Sequence, residues 1–326
     1  MLAVWVRLLA NRTKNLLQAE FNYALSYWGI MRFTHLPTFV SVEPANFCQL
    51  HCPECPVGMC SHEDKENKLL TIEQFRHILD AVQNHVHTIQ FYFQGEPLLN
   101  HDLAKMIRMA HDVGLYTIVS TNAQNLTAKL AKELVYAGLS RIIVSMDGLS
   151  EESYGAYRIG GNLHKTLSGL GYLKTAKLES GAHIHIELQC LKLRTNEHEW
   201  PLLKRSYKKM GADSLTLKTA QFYDIQQGNP LMPSSTRDSR YYCDDNDVWH
   251  VKRRVGHVCR RVYMGIVVDV DGNVRPCCFD KGGKYILGNL LTQSLTEIWN
   301  SDRAKHFREA VLHHRKSIDI CQNCTE

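Results

Sequence analysis

Cys48, Cys52 and Cys55 form a C-x3-C-x2-C run. Three thiolates this close together suit a metal cluster that keeps one position open. A structural zinc site closes with four ligands, and a [4Fe–4S] cluster tied only to protein takes four cysteines. A three-cysteine loop therefore points to a cluster with one iron left for a small molecule. Zinc binding or plain buried thiols are the competing readings, and the rest of the chain has to decide.

The elements that would position this loop are legible in the sequence. From Pro37 to about Ala220, short apolar runs alternate with helix-like stretches. Strands are expected at Thr38–Glu43, Thr88–Gln94, Leu115–Thr121, Arg141–Met146, His183–Cys190 and Ser214–Lys218. Helices are expected at Thr71–His85, Asp102–Val113, Ala128–Tyr136, Leu163–Glu179 and Glu197–Met210. Gly114, Gly138, Gly181 and Gly211 stand where these helices should stop. Six such units with short connections predict parallel strands and an α/β fold, a partial (β/α)6 barrel. Residues 37–221 are assigned to it, and residues 1–36 to an amphipathic helical segment. That segment carries Trp5, Val6, Leu9, Leu16, Phe21, Leu25 and Trp28 among Arg7, Arg12, Lys14 and Arg32. It reads as a cap on the barrel, or as a docking face for a partner or a membrane.

Residues 222–258, with Gly228, Pro230, Pro233 and Asp244, Asp245 and Asp247, read as a connection or lid. Residues 259–326 read as a small α+β domain. In it, Val267–Val274 with Asp271-Gly272 is a hairpin, and Leu295–Leu312 is a helix.

Composition narrows the function classes. At 326 residues the chain exceeds the typical ~100–150-residue domain. It is 44% hydrophobic and 22% charged, as expected of a globular enzyme. A formal charge of +5 mildly favours an anionic ligand. No basic run with interleaved aromatics marks a nucleic-acid binder. Eleven cysteines without a secretory signal are expected in a reducing cytoplasm, where clustered cysteine binds metal. No apolar run approaches the ~20 residues of a membrane span.

In parallel α/β barrels, active sites lie at the C-terminal ends of the strands. The cysteine loop follows the first strand. Gln94-Gly95-Glu96-Pro97 follows the second, where glycine would let a ligand approach the backbone and Glu96 would accept bonds from an ammonium group. Ser120-Thr121-Asn122 and Ser145-Met146-Asp147-Gly148 end the third and fourth strands. On the fifth, His185, Glu187 and Gln189 share a polar face that would line the cavity.

The cysteine run, the Gly95-Glu96-Pro97 turn and the six-fold β/α repeat resemble the radical S-adenosylmethionine (SAM) enzymes, from about residue 37 to the C-terminus. The resemblance implies that Cys48, Cys52 and Cys55 bind a [4Fe–4S] cluster whose open iron chelates SAM. Gly95 and Glu96 would hold the methionine ammonium. Asn122, Ser145, Asp147 and Gln189 would serve the ribose and carboxylate, with Arg158 as a further carboxylate candidate. Glu54 stands where the family usually has an aromatic residue, which puts the adenine-side packing in question.

Towards the C-terminus, Cys259, Gly272 and Cys277, then Cys321-x2-Cys324, resemble the shortened "twitch" form of the SPASM auxiliary-cluster domain. This implies a second [4Fe–4S] cluster on Cys259, Cys277, Cys321 and Cys324, with Cys278 as the alternative to Cys277 and zinc as the alternative metal. Cys60 and Cys190 read as structural.

The implied activity is reductive cleavage of SAM to a 5′-deoxyadenosyl radical, then hydrogen abstraction and a two-electron oxidation completed through the auxiliary cluster. The substrate would be a peptide or a carbohydrate-like small molecule, with flavodoxin or ferredoxin as reductant. The short N-terminal segment favours a small substrate, or a peptide delivered by a partner. The alternatives are a redox-neutral epimerase, with Cys243 near the cavity mouth as hydrogen donor, and a non-catalytic iron–sulfur or zinc protein.

Overall fold

The computed structural model describes residues 2–59, 66–252 and 258–325. Cys60, read as structural, lies outside them. Six strands, β1 (Phe39–Val42), β2 (Thr88–Phe91), β3 (Tyr116–Thr121), β4 (Arg141–Ser145), β5 (His185–Lys192) and β6 (Ser214–Thr219), lie side by side in chain order and run parallel. An order without reversal is that of a barrel rather than a doubly wound sheet.

The N-terminal helix α1 (Leu2–Ser26) precedes the sheet. The helices α2 (Ile72–Val82), α3 (Leu103–Asp112), α4 (Ala128–Tyr136), α5 (Leu163–Ser180) and α6 (Trp200–Met210) connect the strands. The start of α2 shows why the sequence folds this way. Thr71 accepts from the Gln74 amide and Gln74 returns the bond in a capping box, while Phe75, Ile78, Leu79 and Val82 turn one face into the core. Gly181 and Gly211 end α5 and α6 in the left-handed conformation, at φ 64° and 112°.

Three elements differ from the sequence reading. β2 stops at Phe91 because residues 92–96 leave the sheet to line a cavity. The stretch from Leu295 to Leu312 is not one helix. A short helix ends at Trp299, and Ser301 caps a new one, α7 (Asp302–His314), by accepting from the Ala304 amide. The long connection contains its own hairpin, β7 (Tyr241–Cys243) against β8 (Trp249–Val251).

The expected C-terminal hairpin forms between β9 (Gly265–Val268) and β10 (Asn273–Arg275). It does not stand apart, because β9 pairs in parallel with β1, and β11 (Gly288–Asn289) adds to β10. One nine-stranded sheet therefore carries both cysteine groups.

Polar bonds fix α1 beneath this sheet. Arg12 donates to the carbonyls of Gln83 (2.8 Å), Val113 (2.7 Å) and Gly114 (3.0 Å). Asn15 donates to those of Leu36 (2.9 Å) and His85 (3.1 Å). All five acceptors precede β1, β2 or β3, so α1 lies at the N-terminal ends of the strands. Among the described residues, no helix is long and apolar enough to cross a membrane.

His35 completes the anchor. Its Nδ1 accepts from Asn22 at 2.8 Å, and its Nε2 donates to the Tyr263 carbonyl at 2.8 Å. This arrangement needs neutral imidazole, and burial lowers its pKa from 6.5 to about 4. The depressed value gives stability that is present above pH 6.5 and lost as pH falls towards 4. Thermal stability should therefore fall more steeply as pH drops across that window in the parent than in His35→Asn. Equal slopes would contradict this assignment.

Candidate functional site

A cavity of about 260 Å³ opens where the loops after β1 to β4 converge. Cys48, Cys52 and Cys55 form one wall. Gly95, Glu96, Asn122, Ser145 and Arg158 share it with them.

Gly95 lines the cavity and also answers to a backbone contact. A Cβ there would lie 2.0 Å from the Ala45 carbonyl oxygen and 2.8 Å from the Phe47 amide nitrogen. Glycine lets the second-strand turn press on the chain leading into the cysteine loop, and the Glu96 amide donates to the Phe47 carbonyl at 2.9 Å. The close approach is of backbone to backbone.

The Glu96 side chain is 3% exposed. Its carboxylate accepts from Thr121 Oγ1 (2.6 Å), the Asn122 amide (2.9 Å) and the Leu98 amide (3.0 Å). Burial raises its pKa, and these bonds oppose the rise. Oε2 carries only the Asn122 bond, so it retains acceptor capacity towards the cavity.

Two of the three sulfurs meet donors suited to thiolates. The Leu50 amide and Asn122 Nδ2 each point at Cys48 Sγ from 3.4 Å, and Arg158 Nη1 lies 4.0 Å from Cys52 Sγ. Without metal, burial pushes Cys48 up to about 12 and raises Cys52. Iron would supply the positive charge that stabilises the thiolate form. Among the described residues, no three His, Cys, Asp or Glu side chains converge on a point that would hold a single ion.

Two predicted SAM contacts sit elsewhere. Asp147 is fully buried and does not line the cavity. It accepts from Arg158 Nε at 2.6 Å and from the Leu191 amide at 2.6 Å, so it positions Arg158. Gln189 pairs with Ser145 across β4–β5 and does not line the cavity. The polar face of β5 is largely satisfied by neighbouring strands, with Glu187 on Arg141 and His185 Nε2 2.7 Å from Ser214 Oγ. Cys243 lies in β7 and lines neither this cavity nor its neighbour. Cys190 is buried in the main core, as a structural thiol should be.

Two other cavity residues tie the site to later parts of the chain, and the sequence had marked only Glu54. Glu54 accepts from the Tyr223 amide and from Asn229 Nδ2, both at 2.8 Å, which ties the cysteine loop to the long connection. Lys281 enters from the C-terminal part and donates to Tyr223 Oη at 2.6 Å. Its carbonyl accepts from Gln94 Nε2 at 2.8 Å. Only spacing could have hinted at Lys281, which follows the Cys277-Cys278 pair by a few residues.

The C-terminal cysteines gather around Arg315. Its guanidinium donates to Cys324 Sγ (3.6 Å) and to the Val258 carbonyl (2.9 Å). The neighbouring Cys259, Cys321 and Cys324 raise its pKa, against the effect of burial. A buried cation among three thiols suits a bound anionic cluster. Cys277 lies close enough to Cys259 to feel its charge. Cys278 is hydrogen-bonded to Cys277 and lies near Tyr92 and Lys281. Both cysteines line a second cavity of about 190 Å³, which shares Tyr92 and Phe93 with the first.

Comparisons with known proteins agree with this layout. The Radical SAM superfamily model matches residues 42–188, and the SPASM model, an iron–sulfur cluster-binding domain, matches 259–325. "PqqA peptide cyclase" of Bradyrhizobium diazoefficiens is 30% identical over 206 residues, 61% of this chain and 51% of that protein. "AdoMet-dependent heme synthase" of Methanosarcina barkeri is 29% identical over 148 residues, 45% and 42% of the two chains. The chain thus spans about half the length of these curated relatives. Streptococcus suis SuiB bound to its precursor peptide SuiA has the same fold, with a TM-score of 0.63 and 15% identity over 93% of this chain and 73% of that one.

Gly95→Ala should lower both the unfolding temperature and the iron retained after reconstitution. Gly155→Ala, whose Cβ meets nothing within 4 Å, should change neither. Equal behaviour of the two variants would remove the backbone-contact explanation.

Proposed function

The chain belongs to the radical SAM superfamily and carries a SPASM domain, and on that premise we propose that it is an oxidative maturase acting on a peptide. Cys48, Cys52 and Cys55 would hold the SAM-binding [4Fe–4S] cluster. Cys259, Cys277, Cys321 and Cys324 would hold one auxiliary [4Fe–4S] cluster. When bound, these groups supply reductive cleavage of SAM to a 5′-deoxyadenosyl radical, which abstracts a substrate hydrogen atom, and an acceptor for a second electron.

The chain's own residues supply orientation and charge. Arg158 and Asn122 offset thiolate charge at Cys52 and Cys48. The free acceptor capacity of Glu96, beside the Gly95 backbone, suits the methionine ammonium. Ser145 offers a hydroxyl to the ribose or carboxylate. Arg158, held by Asp147, is the cationic candidate for the carboxylate.

One observation carries the oxidative reading. Cys277 lines the cavity that adjoins the SAM-side cavity, and Lys281, four residues later, reaches the SAM-side cavity itself. Four residues span at most about 14 Å. The peptide assignment is supported by the named activity of the cyclase relative and by the peptide bound to SuiB.

A redox-neutral epimerisation is the second reading, and a different thiol would serve it. Cys278 lines the adjoining cavity and Cys243 does not.

The test is anaerobic reconstitution with SAM, a reductant and the peptides encoded beside the gene. The parent should release 5′-deoxyadenosine and give a product lighter by one pair of hydrogens. Substitution of Cys48, Cys52 and Cys55 by Ala should abolish both. A product of unchanged mass, lost in Cys278→Ala while SAM cleavage persists, would replace oxidation with epimerisation.

A further inference from the structure

The helix α1 packs inside out. A surface helix normally turns its apolar stripe to the core. Here the buried side chains include Arg12, Asn15, Asn22 and Ser26, at 0–6% exposure. The solvent side carries Val6 (60% exposed), Leu9 (62%), Leu17 (66%) and Phe21 (59%). Their spacing of three, eight and four residues keeps them along one side of the helix. Exposed apolar surface continues past the helix end through Tyr27, Trp28 and Ile30, with Trp28 75% exposed.

Folding does not account for this stripe, because the opposite polar face makes the bonds to the barrel. Charge identifies what would cover it. Residues 1–36 contain four Arg or Lys and one acidic residue, Glu20. Arg7, Lys14 and Arg32 are exposed on this segment, and Glu20 is already paired with Arg260. Apolar and aromatic side chains flanked by exposed cations match the requirements of an anionic lipid surface.

We propose that α1 is an interfacial helix that docks the protein onto an anionic membrane. Its place in the fold fits the role. It lies at the N-terminal ends of β1 to β3, whereas the catalytic cavity opens at the C-terminal ends. Docking through α1 therefore leaves the cavity facing water, open to substrate and reductant.

Sedimentation of the reconstituted protein with vesicles tests this. The protein should co-sediment with vesicles containing phosphatidylglycerol and remain largely in solution with phosphatidylcholine alone. About 0.5 M NaCl should weaken binding several-fold, because surface charges are screened beyond a few ångströms at that strength. The paired change Leu17→Glu and Phe21→Glu should abolish binding. Both residues are exposed, so circular dichroism and SAM cleavage without lipid should be unchanged. Absence of binding, or equal binding to both vesicle types, would overturn the proposal. So would a lipid-free dimer that the paired variant dissolves, since that would assign the stripe to a second copy of the chain.

Discussion

The site depends on a buried carboxylate. Glu96 joins three loops that would otherwise be independent. Its amide binds the loop after β1, its side chain binds the last residue of β3 and the one after it, and it caps the short helical turn after β2. Asn122, fixed by that bond, then reaches Cys48. Removing the carboxylate would leave the Asn122 and Leu98 amides buried without a partner, at about 1–3 kcal/mol for each. Gly95 is the condition for this junction, because any side chain there would collide with the backbone the junction holds.

A second set of contacts binds the C-terminal part to the same cavity. β9 lies directly against β1, and the Lys281 carbonyl meets Gln94 next to the Glu96 turn. Glu54 takes on a clear role here. Where the family usually places an aromatic ring, this chain has a carboxylate bound to Tyr223 and Asn229, so the cysteine loop is clamped to the connection between the two cysteine groups. Tyr223 in turn receives the Lys281 ammonium. The two cysteine groups are therefore coupled through hydrogen bonds as well as through the sheet.

The sequence carried the barrel clearly, because alternating apolar runs and glycine stops report directly on parallel β/α units. It carried the cysteine loop because three thiols at that spacing have few other uses. Periodicity marked α1 as amphipathic but could not say which face would find partners. That was decided by backbone carbonyls at the barrel floor, which only the fold brings together. Asp147 and Gln189 looked equally suited to a ligand, yet Asp147 turns inward to hold Arg158, and Gln189, beside Ser145 on the next strand, is not among the residues that line the cavity. The entry of Lys281 into the cavity depends on β9 pairing with β1, and no local pattern reports a pairing more than two hundred residues apart.

The central claim is that two separate cysteine groups hold two clusters and that SAM meets only the first. Iron content and low-temperature electron paramagnetic resonance of the reconstituted chain, with and without SAM, test it most directly. About eight irons per chain are expected, falling to about four when Cys259, Cys277, Cys321 and Cys324 are replaced by Ala, with the SAM-dependent change in the reduced signal retained. About four irons in the parent, or loss of the SAM effect on removing only the C-terminal cysteines, would contradict the account.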